Sequence, residues 1–172
     1  MSHETDRPPN IVNVADVEAH PYPAQFAPKG AAAERYGAKM AFVGRQVGAV
    51  KLGYNVTTVA PGKRAFPAHN HRINEEMFFI LSGTGEVRIG AATYPIREGD
   101  FIGCPPGDRA TAHQIVNTGR EDLRFLAVST KESLDIAEYP DTGKFGVLSE
   151  DPDFPFRFVG RASSAADYWE GE

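Results

Sequence analysis

The 172-residue sequence predicts an all-β fold, an antiparallel sandwich or barrel built from short strands. From about Ala41 onward, eight short segments are rich in Val, Ile, Phe, Thr and Tyr, and turn residues bound each of them. The 17 glycines and 13 prolines punctuate the whole chain rather than gathering in one linker. Strands of this length at this spacing leave no room for crossover helices, so the pattern favours antiparallel pairing.

The regular elements are expected in the following order. Strands are predicted at 41–47, 50–59, 76–82, 85–89, 92–96, 100–104, 111–117 and 123–129. Any helix is confined to the segments 30–36, 131–138 and 163–169. The chain contains no repeat at a solenoid period, which leaves a single barrel or sandwich as the prediction.

We divide the chain into an N-terminal arm at 1–40, a barrel at 41–135 and a C-terminal loop and tail at 136–172 that pack on the barrel. The arm is expected to be irregular, because five prolines break any periodic pattern in its sequence. The tail is turn-rich. Its segment 139–146 follows the barrel directly, has an aromatic residue near each end, and is expected to cover part of the barrel mouth.

Composition excludes several classes of partner. The 18 basic and 23 acidic residues give a net charge of −5, so nucleic-acid binding is not expected. The longest apolar run, 77–81, is far shorter than the roughly 18 residues of a membrane span, so a membrane partner is not expected either. The N-terminus lacks the basic and apolar regions of a signal peptide, and the single cysteine, Cys104, allows no internal disulfide. We therefore expect a cytoplasmic protein.

Three histidines and one acid carry the candidate chemistry. His69 and His71 are two residues apart, so on a strand their imidazoles project from the same face. Glu76 begins the next strand, and a hairpin would return its carboxylate toward the two rings. His113 lies on a later strand. Three imidazoles and one carboxylate on converging strands form a ligand set for a divalent metal with coordination positions left open.

The spacing around these residues resembles the two sequence motifs of the cupin family. The first motif runs Gly62, His69-x-His71, four residues, Glu76, six residues and Gly83; the second runs Gly99-Asp100, Pro105-x-Gly107, His113, three residues and Asn117. Only the 15 residues 84–98 separate them, as in compact single-domain bacterial cupins. The end of the chain also resembles a subgroup of such cupins labelled sugar-binding.

This resemblance implies a cupin double-stranded β-helix, a jelly-roll barrel, with an irregular N-terminal arm and a turn-rich C-terminal tail. Residue by residue, it implies metal ligation by His69, His71, Glu76 and His113. One divalent metal ion is expected, either Fe, Mn, Ni or Zn, and the sequence does not choose among them.

Other residues have two interpretations each. Asn117, on the His113 face, either orients a ligand or substrate or caps the turn that follows it. Arg88, Tyr54 and Tyr94 are candidates for contact with an anionic or hydroxylated substrate, although such residues also serve as surface or core of a sheet. Cys104 is expected to be a small buried side chain rather than a nucleophile. No catalytic acid or base is assigned.

The expected function is chemistry on a small oxygen-rich metabolite that chelates the metal, such as a hydroxy acid, a keto acid or a sugar derivative. Fe, Ni or Cu would favour dioxygenase chemistry, and Mn or Zn would favour isomerase, decarboxylase or lyase chemistry. The alternative is a non-catalytic cupin that binds a sugar or another metabolite. Of these two classes, we expect an enzyme rather than a non-catalytic binding protein.

A homodimer is also expected from the strand that begins at Glu76. If Glu76 faces inward, then Phe78 and Ile80 fill the barrel, while Met77, Phe79 and Leu81 point outward. Three outward apolar side chains form a patch that a second subunit, the arm or the tail must cover. Twofold pairing is the commonest closed symmetry.

Overall fold

The structure, a computed structural model, describes residues 8–149 and 155–172. Within these residues the chain forms thirteen β-strands, two short α-helices and two 3-10 turns. Residues 1–7 of the predicted arm and 150–154 of the predicted tail lie outside the described residues. Across the described ranges, none of the helices has the length and apolar character that a membrane crossing requires.

The regular elements have these bounds. The α-helices are α1 (Ala31–Arg35) and α2 (Val43–Gln46), and the strands are β1 (His20–Pro21), β2 (Ala38–Ala41), β3 (Leu52–Val59), β4 (Asn70–His71), β5 (Glu76–Ser82), β6 (Thr84–Ile89), β7 (Ala92–Arg97), β8 (Phe101–Cys104), β9 (His113–Val116), β10 (Leu123–Thr130), β11 (Leu134–Tyr139), β12 (Lys144–Ser149) and β13 (Phe156–Gly160).

The strands form three sheets, and all pairing within them is antiparallel, as predicted. The spatial orders are β1-β2-β3-β10-β5-β8, β7-β6-β9 and β13-β12-β11-β4. Strands that are neighbours in the largest sheet are often far apart in sequence. Long-range pairing therefore builds the fold.

The hydrophobic core lies between the largest sheet and the three-stranded sheet. Phe78 and Ile80 of β5 are buried, as their predicted inward direction requires, and they pack in one cluster with side chains from both sheets. The largest of its almost fully buried apolar side chains are Val59, Phe78, Ile80, Ile115, Leu123 and Phe125. The inward face of β5 is thus continuous from this core to Glu76 at its first position.

A glycine is required where β5 turns into β6. Gly83 has a φ of +86°, and a Cβ at this position would lie 2.6 Å from the carbonyl oxygen of Asp122. Any residue with a Cβ is disfavoured here, both by the positive φ and by the contact with Asp122. The backbone conformation and the close packing at this turn therefore explain why the first motif ends in glycine.

Two predicted elements are wrong. The segment 41–47 was expected to be a strand, but it contains α2, which packs so closely on β3 that a Cβ at Gly44 would lie 3.1 Å from the backbone nitrogen of Tyr54. The segment 131–138 is one of the three segments in which a helix is allowed by the sequence, but β11 forms there because it pairs with β4 and β12. In both cases tertiary packing overrides local propensity.

The arm and the tail contain more regular structure than predicted. In the arm, α1 confirms the expected helix at 30–36, and β2 joins the largest sheet. In the tail, β11, β12 and β13 form a sheet, and the expected helix at 163–169 is replaced by a 3-10 turn at Ala162–Ser164. The boundaries after residues 40 and 135 stay predictions.

The arm covers part of the outer face of the largest sheet. Val12, Val14 and Val17 pack in one cluster that includes Leu81 of β5 and Leu126 of β10. Phe79 and Met77 on the same face are half-buried. The N-terminal arm is one of the three predicted covers of the apolar patch formed by Met77, Phe79 and Leu81. It therefore covers the end of this patch at Leu81.

Candidate metal centre

The backbone brings the two motifs together at one end of the core. His69 and His113 form a two-bond antiparallel bridge, in which each backbone N–H donates to the other residue's carbonyl oxygen at 3.1 and 2.8 Å. His71 lies two residues further along, in β4, and Glu76 is the first residue of β5. The predicted convergence of these four side chains is what the structure shows.

The three imidazoles point at one carboxylate oxygen. The distances from Nε2 of His113, His71 and His69 to Oε2 of Glu76 are 3.0, 3.3 and 3.5 Å. One ligand atom from each of His69, His71 and Glu76 can be chosen so that all three lie within 4.8 Å of one another. The cluster therefore has donor atoms of the right kind, close enough to share one metal ion.

The opposite nitrogen of each ring faces a hydrogen-bond acceptor. Nδ1 of His69 lies 2.9 Å from the carbonyl oxygen of Pro67, and Nδ1 of His113 lies 3.3 Å from that of Thr111. A proton on Nδ1 leaves the Nε2 lone pair directed into the cluster, which is the form that binds a metal. The donor set thus fits a divalent cation.

Asp135 of β11 orients the third ring, His71, and sequence reasoning missed it. Its Oδ2 lies 2.5 Å from Nδ1 of His71, and its Oδ1 accepts hydrogen bonds from the backbone nitrogens of Ile73 and Asn74 at 3.1 and 3.3 Å. The side chain is buried. Burial opposes its ionisation, but the hydrogen bond to His71 and the two from the backbone hold the pKa of Asp135 below its usual value.

Burial and hydrogen bonding determine the charges in the cluster. Burial alone would raise the pKa of Glu76, but hydrogen bonds from His113, His69 and His71 hold it well below its usual value. Burial lowers the pKa of His69. Burial also disfavours protonation of His71, but hydrogen bonds to Asp135 and Glu76 raise its pKa to about 9. The cluster therefore keeps an ionised carboxylate beside a strongly basic imidazole, and a metal ion would displace the imidazole proton.

Aromatic rings shield the histidines. Phe66 meets His69 edge-on at a centroid distance of 5.0 Å and stacks on Phe78 at 5.7 Å. Tyr139 stacks on His69 at a centroid distance of 6.1 Å. Tyr139 ends β11 and begins the segment 139–146, which turns into β12 as a hairpin. The role of this segment as a cover of the mouth stays a prediction.

Cys104 lies beside the cluster as a buried thiol. It is directly opposite Glu76 in the pairing of β5 with β8 and is 4% exposed. Burial, with the nearby charge of Glu76, raises its pKa to about 12. The thiol therefore stays protonated, and the expectation of a buried side chain is confirmed.

Asn117 supports a loop, which is one of its two predicted roles. Its side chain is fully buried, and Nδ2 donates to the carbonyl oxygens of Val59 and Glu121 at 2.7 and 2.8 Å. Its Oδ1 accepts from the backbone nitrogen of Gly119 at 2.9 Å. These hydrogen bonds fix the turn between β9 and β10. The alternative role, orientation of a ligand or substrate, is not supported by them.

We expect Asn117→Ala to destabilise the protein without removing the metal site. Loss of the side chain removes its hydrogen bonds to two carbonyl oxygens and one N–H group, so the free energy of unfolding should fall by about 2–4 kcal/mol. Urea unfolding measures this change, and elemental analysis of the folded variant measures bound metal. Loss of metal at unchanged stability would contradict the assignment.

The other three residues that were predicted to contact a substrate have different surroundings in the structure. Arg88 forms a bidentate ion pair with Asp141 at 2.8 and 2.9 Å. Tyr94 is 53% exposed and lines a surface depression whose described lining includes Phe101 but none of the four predicted ligands. Tyr54 lines a cavity that Glu76 also lines. Tyr54 thus lines a cavity together with a predicted ligand.

Fold and site together define a class: an antiparallel double-stranded β-helix with a histidine and glutamate cluster at one end of its core. Residues 55–129 match the sequence profile of the cupin domain, and over this range the chain is similar to cupins. The predicted fold class is confirmed.

Three known proteins are similar to this chain in structure or in sequence. It is similar to a candidate sugar phosphate isomerase from Acidithiobacillus ferrooxidans, with 27% identity, a TM-score of 0.68 and coverage of 76% of this chain and 80% of that one. A sugar phosphate isomerase of the cupin superfamily from Silicibacter pomeroyi has a TM-score of 0.78 over 93% of this chain and 98% of its own, but at 20% identity it shows the fold alone.

The third comparison is with auxin-binding protein 1 of Arabidopsis thaliana. This chain is 33% identical to it over 93 residues, which are 49% of this chain and 44% of that protein. The chain thus spans less than half the length of this curated relative.

Proposed function

We propose that the protein is a metal-dependent enzyme that acts on a small sugar derivative, and that the reaction is an isomerisation. The observation that carries this proposal is the convergence of three imidazole Nε2 atoms on Oε2 of Glu76, a residue that also lines a cavity. The similarity to the Acidithiobacillus protein supports the sugar derivative and the isomerisation over the dioxygenase and decarboxylase reactions.

His69, His71, Glu76 and His113 would hold one divalent cation. When bound, that cation supplies Lewis-acid chemistry, polarising a carbonyl or hydroxyl oxygen of the substrate. Three neutral imidazoles and one carboxylate leave a net charge of about +1 on such a centre, which favours oxygen-rich substrates. The protein positions the donors, and Phe66 and Tyr139 limit access of water to His69.

The cavity beside Glu76 offers hydrogen-bonding groups for substrate hydroxyls. Asn55 of β3 and Ser129 of β10 line it together with Tyr54. Ser129 lies directly opposite Glu76 in the pairing of β10 with β5, so its hydroxyl is on the same inward face. These groups can orient a sugar next to the cluster.

The proposal is tested with protein purified without a His-tag. Elemental analysis identifies the metal, and the loaded protein is then incubated in D₂O with a panel of aldose and ketose phosphates. Isomerisation by proton transfer should appear in ¹H NMR as a new sugar and as deuterium at C2. A His71→Ala, His113→Ala double variant is the matched control. Oxygen uptake or release of CO₂ from hydroxy or keto acids, with no sugar converted, would contradict isomerisation. It would indicate a dioxygenase or a decarboxylase instead.

A non-catalytic metabolite-binding cupin is the second candidate, and the 33% identity to auxin-binding protein 1 favours it. Saturable binding of a sugar or an organic acid with no turnover of any substrate in the panel would support this function and contradict the enzyme. The cytoplasmic location and the absence of nucleic-acid and membrane partners stay predictions.

We further propose a homodimer that uses the outer face of β5 and β8. The ring of Phe79 lies 4.3 Å from that of Phe101, which is 71% exposed on the strand at the edge of the largest sheet. Phe101→Glu should shift sedimentation equilibrium from the mass of two chains to one, whereas Val50→Glu, at a site 79% exposed outside this face, should not. Wild-type protein that sediments as one chain at tens of micromolar would overturn the dimer.

A further inference from the structure

The cavity that Glu76 lines has several polar groups and two cations among its largely apolar lining. Its volume is about 230 Å³. Asn55, Ser129 and Glu76 line it from the inner faces of β3, β10 and β5. Arg45 of α2 and Lys131, which follows β10, are the two cations of its lining. Glu76, one of the four candidate ligands, therefore lines the same cavity as two cationic residues.

Close backbone packing fixes the position of Arg45. The preceding residue, Gly44, is buried, and a Cβ there would lie 3.1 Å from the backbone nitrogen and 3.2 Å from the carbonyl oxygen of Tyr54. This contact holds α2 against the first half of β3, where the largest sheet has no β2 pairing. Arg45 therefore directly follows a residue of α2 that packs on the backbone of β3.

The guanidinium of Arg45 is available to a ligand. Arg45 is exposed, and among the described residues it forms no ion pair with an acid. By contrast, Arg72 and Arg88 each form an ion pair, with Glu138 and Asp141. A guanidinium presents a planar fork of donors that matches the oxygens of a phosphate.

We propose that this cavity is the substrate pocket and that Arg45 binds a phosphate group at the end of the substrate remote from the histidine cluster. The sugar part of this ligand rests on the proposed function, and the anionic part rests on the lining of the cavity. In this arrangement the hydroxyls of the sugar lie between Arg45 and Glu76, beside Asn55 and Ser129. Arg45 therefore determines specificity for phosphorylated over neutral sugars.

The test measures binding by isothermal titration calorimetry to the full chain, both metal-free and metal-loaded. The probes are inorganic phosphate, glucose 6-phosphate, glucose and gluconate. We expect saturable binding of inorganic phosphate by the metal-free protein, and about tenfold or greater weakening of it by Arg45→Ala. Arg45→Lys should weaken it less because the charge remains but the fork is lost. Arg120→Ala, at an exposed arginine outside the lining of the cavity, should leave it unchanged.

Each outcome separates this inference from the proposed function. Phosphate binding that depends on Arg45, with no sugar turned over, would support the phosphate site and contradict the enzyme. Turnover of a sugar phosphate that Arg45→Ala leaves unchanged would overturn the phosphate site. Binding of gluconate as tight as that of glucose 6-phosphate would overturn the choice of phosphate. Because Arg45 is exposed, the variant is expected to unfold at the wild-type temperature, which thermal unfolding checks.

Discussion

Replacing both His71 and His113 with alanine is expected to abolish stoichiometric metal binding. The change removes two of the three imidazole Nε2 atoms that lie 3.0–3.5 Å from Oε2 of Glu76. His69 and Glu76 alone cannot complete a ligand set for a cation of the transition series. Elemental analysis should find about one metal ion per wild-type chain and a small fraction of one per variant chain.

His20→Ala is the matched control for the double variant. His20 is exposed in β1, and the acid within 4.0 Å of its ring is Glu18 rather than Glu76. This variant should retain the wild-type metal content. Circular dichroism of both variants verifies folding, which matters because His113 is buried. A folded double variant that keeps stoichiometric metal would show that the ligands are elsewhere.

Asp135→Ala is expected to weaken metal binding about 10–100-fold, because His71 loses the partner that fixes its ring and its Nδ1 proton. The same change leaves the backbone nitrogens of Ile73 and Asn74 without an acceptor. The free energy of unfolding should therefore fall by about 2–4 kcal/mol. Competition with a chelator measures the affinity, and urea unfolding of the metal-free protein measures the stability.

Asp141→Ala provides the comparison for this prediction. Asp141 is a carboxylate of the neighbouring hairpin turn, and its ion pair with Arg88 is largely exposed to solvent. Its loss should cost less than about 1 kcal/mol and leave metal affinity unchanged. If Asp135→Ala lowers stability but keeps wild-type affinity, Asp135 acts only on the backbone of residues 73 and 74.

The candidate ligands could be predicted from sequence because the signals are local. The spacing of His69 and His71 places both rings on one strand face by geometry alone, and the alternation that begins at Glu76 predicts that Phe78 and Ile80 are buried. Both expectations agree with the structure.

Asp135 could not be predicted in the same way. The segment around it contains helix-favouring residues, and it becomes a strand through pairing with the adjacent β12 and with β4, which is distant in sequence. The backbone hydrogen bonds that Asp135 accepts also depend on that pairing. The error at α2 has the same origin, since its apolar residues are typical of a strand but its packing against Tyr54 is a tertiary contact.

The pairing of β11 with β4 has a consequence for how the protein is divided. Residues 55–129 match the cupin domain, yet Asp135 and Glu138, which hold the segment carrying His71, follow that range. Glu138 accepts hydrogen bonds from Asn70 and Arg72, on either side of His71. A fragment that ends at residue 129 would keep all four candidate ligands. It would lose β11, the strand that pairs with β4 and whose Asp135 contacts His71. A fragment for expression that is meant to keep His71 in place must therefore extend beyond residues 55–129 and include β11, because Asp135 and Glu138 lie outside the matched range.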